Sequence, residues 1–146
     1  MADLDLVREL SAAEHGLATV AIARPDGTVQ ASVVNAGVID DPVTGKVSVG
    51  FVACGGTRKL DLLRTGGHAT IVFRRGWNWV SVQGPAHLIG PDDEDPAFTG
   101  DLPTLLRDVF KAATGTHDDW AEYDRVMATE RRCCVFVEAT RIIGNG

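Results

Sequence analysis

The feature that most limits what this chain can fold into is a series of β-rich segments separated by turn signals. From Leu17 to Gly90 there are five: "LATVAIA", "TVQASVVNAGVI", "KVSVGFVA", "HATIVFRR" and "WNWVSVQGPAHLIG". Pro25-Asp26-Gly27, the stretch Pro42 to Gly45, and Gly76 punctuate them as hairpin-type turns. Only one helix-like segment, opening at "CGGTRKLDLL" (Cys54 to Leu63), interrupts the series. Strands clustered in this way do not show regular βαβ alternation. They predict an α+β domain, mainly β, whose largely antiparallel sheet curls into a barrel.

Helices are expected around that array. "ADLDLVRELSAAEHG" places Leu6, Leu10, Ala13 and Leu17 at helical spacing, with Gly16 as the left-handed terminator. "DLPTLLRDVFKAATG" aligns Leu102, Leu105, Leu106, Val109, Phe110 and Ala113, with Asp101 as N-cap and Gly115 as stop. "HDDWAEYDRVMATERR" aligns Trp120, Tyr123 and Met127, and "CCVFVEATRII" is expected to close the chain as one last strand. The acidic stretch "GPDDEDPAFTGD" reads as a solvated loop. No repeat or linker divides the 146 residues, so a single domain over 1–146 is expected.

Charge narrows the partners. The net charge of −6 argues against nucleic acid, so any anion site must be a local cluster of Arg and Lys. No apolar run reaches the roughly 18 residues of a membrane span, and the first residues lack a secretory pattern. Three cysteines, two of them adjacent, form no disulfide framework, and a cytoplasmic location is expected. The wealth of Ala, Gly, Val and Asp suggests a GC-rich bacterial genome.

Two constellations carry possible chemistry. Gly55 and Gly56 let backbone amides approach a ligand, Thr57 suits an N-cap, and Arg58 and Lys59 fall in the first helical turn. A helix start attracts anions, and two cations there oppose the dipole unless an anion joins them. The same residues serve equally as a strand-to-helix turn with two solvated cations. Trp77, Trp79, Ser81 and Gln83 alternate along one strand face, where indoles could line a slot for a flat ring or bury in a subunit interface. Arg74 and Arg75 read as a solvated hairpin tip. Cys133 and Cys134 point to opposite faces of their strand, and His15, His68, His87 and His117 show no metal-ligand spacing. Asp92, Asp93, Glu94 and Asp95 offer no carboxylate dyad, and no nucleophile motif is present. No catalytic residue can be named, which points to chemistry supplied by an organic cofactor.

The segment "VSVGFVACGGTRKLDLLRTGGHATIVFRRGWNWVSVQGPAHL" resembles the cofactor-binding core of the pyridoxamine 5′-phosphate oxidase-like split β-barrel family. The likeness runs from about Leu17 to Gly90 and lies in Thr57-Arg58-Lys59, "ATIVF", and "WVSVQGPA" ending at Gly84-Pro85-Ala86. It implies a six-stranded split barrel with flanking helices that forms a homodimer. It further implies that Thr57, Arg58 and Lys59 hold the phosphate of FMN or of the deazaflavin coenzyme F-420. The ring would lie near Asn35 and Ala36 on the second strand, with Trp77, Trp79 and Gln83 as further contacts. Trp79 matches the family position that reaches the ring from the other subunit. Gln30 and Asn35 stand where FMN-dependent members often carry Arg and Lys, and the Arg-rich ending of true pyridoxamine phosphate oxidases is missing. A short chain with a Thr57-Arg58-Lys59 helix start is more similar to the actinobacterial F-420-dependent reductases of the fold. The resemblance therefore implies an oxidoreductase transferring hydride between F-420, or FMN, and a small conjugated substrate. A non-catalytic carrier of F-420, FMN or haem, and a barrel serving only as an interaction module, are the alternatives.

Overall fold

Burial alternates along the first strand, and that alternation fixes which residues line the interior. In β1 (Leu17–Ala23), Ala18, Val20 and Ile22 are buried while Leu17, Thr19 and Ala23 are exposed. In the computed structural model, which describes residues 2–145, β1 pairs with β2 (Val29–Asp40) through the Pro25–Gly27 turn. There Asp26 accepts from both the backbone N–H and the hydroxyl of Thr28. β2 pairs with β3 (Val47–Ala53), β1 with β4 (His68–Arg75), and β4 with β5 (Asn78–Ile89). β6 (Cys133–Glu138) then joins β3 to the second half of β5 and closes a six-stranded, fully antiparallel barrel. The expected α+β split barrel is thus what the chain forms.

The final segment departs from expectation. "CCVFVEATRII" is two strands, because the chain bulges at Ala139–Thr140, where its register along β5 shifts by one residue. It resumes as β7 (Arg141–Gly144), paired with Val80–Gln83. At the bulge the chain lies so close that a Cβ on Gly84 would collide with the Glu138 carbonyl, which explains a glycine inside that strand. Thr140 fastens the bulge by donating its hydroxyl to the Gln83 carbonyl at 2.8 Å.

Two helices close the barrel interior. α1 (Leu4–Ala13) buries Val7, Leu10 and Ser11, and α2 (Arg58–Gly66) buries Leu60, Leu62 and Leu63. Val7 rather than Leu17 completes the α1 face, since Leu17 already opens β1. α3 (Leu102–Ala112) and α4 (Trp120–Thr129) form a second layer outside the barrel. Their Leu105, Leu106, Val109 and Tyr123 pack on Ile89, Cys134 and Phe136. Cys133 faces the barrel core and Cys134 this outer layer, so the adjacent thiols do diverge. Burial pushes the Cys133 thiol up to about 12 and raises Cys134 as well.

The helix ends correct a second expectation. Gly16 and Gly115 do not hold the first left-handed position after their helices; His15 (φ 57°) and Thr114 (φ 65°) do. Each glycine sits one residue later, where its N–H reaches back to Ser11 and Phe110 carbonyls at 2.7 and 2.8 Å. Space decides the order: a Cβ on Gly16 would strike the Ala113 carbonyl, and one on Gly115 the Phe110 ring.

Candidate functional site

Where the outer helical layer ends, a pocket of about 410 Å³ opens on the barrel wall. Its floor is Val33 and Asn35 of β2 together with Val52 at the end of β3. Cys54, Thr57 and Lys59 supply one side; Phe110, Tyr123 and Met127 from α3 and α4 supply the other, and Arg132 closes the rim. That volume lies within the range of small-molecule and cofactor sites.

The cationic side is built by the strand-to-helix turn after β3. Gly56 takes φ 75°, and Thr57 occupies the N-cap position with extended backbone. Its hydroxyl donates to the Cys54 carbonyl at 3.0 Å and makes no cap bond, contrary to the expected N-cap interaction. α1, α3 and α4 are each capped by an aspartate, Asp3, Asp101 and Asp119. The first-turn amides of α2 therefore lack a side-chain acceptor and remain able to bind an anion. Lys59 lies half-buried over the Phe51 ring, 5.9 Å from its centroid, and forms no ion pair among the described residues. Burial, and then the neighbouring Arg132 charge, draw its pKa below the ordinary lysine value. Arg132 is anchored by Glu130, with Nε to Oε1 at 2.9 Å. Arg58 is exposed and outside the pocket, so Lys59 and Arg132 are the cations that face it.

The opposite side is aromatic. Phe110 and Tyr123 stack at 5.1 Å with Trp120 edge-on to both. The Tyr123 hydroxyl donates to the Leu106 carbonyl at 2.9 Å, and burial pushes its pKa up to about 12. Asn35 holds the floor in place. Its side-chain amide donates to the carbonyls of His15 at 2.6 Å and Ala113 at 3.0 Å, tying the ends of α1 and α3 to β2. Both amide hydrogens are thereby committed, which leaves the side-chain oxygen as the group able to meet a ligand.

Sequence reasoning brought three of its eight site residues here: Thr57, Lys59 and Asn35. Ala36 is fully buried on the opposite side of β2 from Asn35 and faces the barrel interior. Gln30, grouped with Asn35 from sequence, pairs with Ile22 and lies on the inward face, so the two residues do not share a site. Trp77 is not on a strand at all; Gly76 (φ 61°) and Trp77 form the two-residue turn between Arg75 and Asn78. Trp79 and Gln83 do share the outward face of β5, since Val80 and Val82 fill the core, but that face belongs to another wall. Phe110, Tyr123, Met127 and Arg132 were missed as ligand contacts. Their helical spacing signalled only core packing, and nothing local marks Arg132 as facing Lys59. No group of three or more His, Cys, Asp or Glu able to hold a metal occurs among the described residues. Nor is any helix of those residues long and apolar enough to cross a membrane.

No family model and no curated protein matches the sequence. Solved structures do. An F420 reductase matches with a TM-score of 0.58 at 15% identity, over 87% of this chain and 88% of the other. A pyridoxamine 5′-phosphate oxidase-related, FMN-binding protein from Nostoc punctiforme matches with a TM-score of 0.58 at 14% identity, over 95% and 78%. The fold is the split β-barrel. A heme-binding protein from Mycobacterium smegmatis shares it with a TM-score of 0.63 at 16% identity; this chain covers 97% of itself and 54% of that one. The same barrel thus carries an FMN-binding protein, an F420 reductase and a heme-binding protein.

Proposed function

We propose that this protein is an oxidoreductase that binds coenzyme F-420, or FMN in its place, in the pocket between α2 and the outer helices. The observation that carries the proposal is the start of α2, which has no side-chain cap and opens with half-buried Lys59, without an ion-pair partner among the described residues, onto a pocket of about 410 Å³. When bound, the cofactor supplies the carbon that carries the hydride, and a small conjugated organic molecule is the acceptor. The residues present fit such a group. The α2 amides and Lys59 hold its anionic tail, with Arg132 adding charge from the rim. Val33 and Val52 present an apolar floor, and the Asn35 oxygen accepts a hydrogen bond from a ring N–H or a side-chain hydroxyl. Phe110, Tyr123 and Met127 exclude water from the opposite side.

The proposal includes a homodimer. Leu17, Val33 and Ile143 are 54%, 67% and 46% exposed, and Trp77 at the hairpin tip is 92% exposed. Residues of this size left bare on one barrel wall mark an association surface. Val33 belongs both to that wall and to the pocket floor, so a second copy covering the wall would complete the pocket. Trp77 and Trp79 then act on the partner's site rather than their own.

A non-catalytic carrier is the second reading, favoured by the committed Tyr123 hydroxyl, which leaves the aromatic side without a free acid. Oxidation of reduced cofactor by a panel of electrophiles separates the two, since a carrier binds without turnover. Titration with F-420 and FMN tests the anchor. Lys59→Ala should weaken binding by about 1.5–3 kcal/mol, the loss of one charge-assisted contact, while Arg58→Ala leaves it nearly unchanged. Equal affinity of wild type and Lys59→Ala would remove Lys59 from the site.

A further inference from the structure

A second cluster of titratable groups lies away from the pocket, on the side of β5 that meets β6. His87 is held by a carboxylate at each ring nitrogen: Nδ1 lies 2.7 Å from Asp41 Oδ2, and Nε2 lies 2.7 Å from Asp95 Oδ2. The three residues come from separate parts of the chain. Asp41 begins the turn between β2 and β3, His87 is on β5, and Asp95 belongs to the acidic loop before α3. That loop was expected to be solvated, yet Asp92 pairs with Arg131, Asp93 with Arg64, and Asp95 with His87.

We infer that Asp41, His87 and Asp95 form a proton-operated latch: the protonated ring holds residues 94–100 against β5, and loss of its proton releases them. Two carboxylates can both accept from the ring only when both nitrogens carry hydrogen. A neutral imidazole keeps one N–H, and the surroundings decide where it stays. Asp41 is 4% exposed and already fixed, its Oδ1 accepting from the backbone N–H groups of Val43 at 2.8 Å and Thr44 at 3.2 Å. Asp95 is more open, and besides the ring it holds only the nearby Ala97 N–H, at 2.9 Å. The remaining hydrogen therefore stays toward Asp41, and a bare nitrogen lone pair then faces the Asp95 carboxylate.

Release is confined by what does not titrate in this range. Arg131 and Arg64 keep Asp92 and Asp93 clamped, so movement begins after them. The freed segment carries Phe98, which packs on the outer cluster containing Ile89 and roofs a cavity of about 440 Å³ beside it. Other charges near the ring do not compete: Glu138 on β6 is engaged by Lys46 at 3.2 Å, and Asp40 and Glu94 are exposed. From β6 itself the ring meets Phe136, 6.5 Å away between centroids. Burial alone would lower the His87 pKa, but the hydrogen bonds and charges of Asp41 and Asp95 outweigh it and raise it above 6.5. The latch thus contributes its full stability below the unfolded-state value, and the contribution fades as pH rises through the higher folded-state value.

Hydrogen exchange on the full chain across this range tests the latch. After correction for the intrinsic pH dependence of exchange, protection of residues 94–100 should fall at least about tenfold as the ring deprotonates, while β6 is unaffected. Asp95→Asn, whose amide can pair with either form of the ring, should abolish the step; His87→Gln should do the same if it folds. Equal protection of the segment on both sides of the titration would overturn the latch. So would a step that survives in Asp95→Asn.

Discussion

The barrel has two outer walls, and they are finished differently. On the wall of β3 and β6, burial is nearly continuous along the strands: all of Cys133 to Val137 are buried. That strand has the barrel core on one face and α3 and α4 on the other. On the wall of β1 and β4 burial alternates and the outward residues are exposed or half-buried, while on the first half of β5 the outward Ser81 is buried as well. One row can be followed across it through paired positions, from Val33 to Thr19, Val72, Ser81 and Ile143. None of these is charged. A wall whose central row is apolar or uncharged, with charge only toward its margins at Arg74 and Arg141, is a poor final surface for a barrel, whereas the helix-covered wall is already complete. The pocket lies along the line where the two meet, with Tyr123 from the covered side and Val33 from the bare one.

The largest test of that contrast is Phe136→Ala on the covered wall. Phe136 is 1% exposed and packed between the β5–β6 sheet and the outer helices. Its loss should cost about 3–5 kcal/mol in urea unfolding. A cost near zero would mean that the helical layer is not part of the core. Asn35→Ala, at the junction, should cost about 1–3 kcal/mol, because two helix-end carbonyls lose their donor. Ile143→Asp on the bare wall should change unfolding of the monomer by less than about 0.5 kcal/mol. It should instead abolish dimer formation in sedimentation, and a dimer unaffected by this charge would move the interface elsewhere.

The same contrast explains what could be read from the sequence. Barrel strands announced themselves by alternation and turn signals, since "LATVAIA" and "HATIVFRR" must sort their side chains between core and exterior. An antiparallel barrel followed from their order, and its split form from the family resemblance. What failed was anything set by contacts between distant segments. Trp77 looked like a strand residue until the Gly76 turn placed it at the tip. "CCVFVEATRII" looked like one strand because the bulge opposite Gly84 leaves no local mark. Asn35 does line the pocket, but its second role, holding the His15 and Ala113 carbonyls, had no signal in the sequence. Arg132 was passed over because only the fold brings the end of α4 beside the start of α2. His87 carried no motif spacing, although Asp41 and Asp95 bracket it in space.

The most direct test of the cofactor site is the absorption spectrum of the protein purified from a host that makes both flavins and deazaflavins. A deazaflavin or flavin band that travels with the dimer through gel filtration, and is lost in Lys59→Ala, is the predicted result. A colourless dimer that remains without cofactor absorbance after incubation with F-420 and FMN and removal of the free cofactor would contradict it.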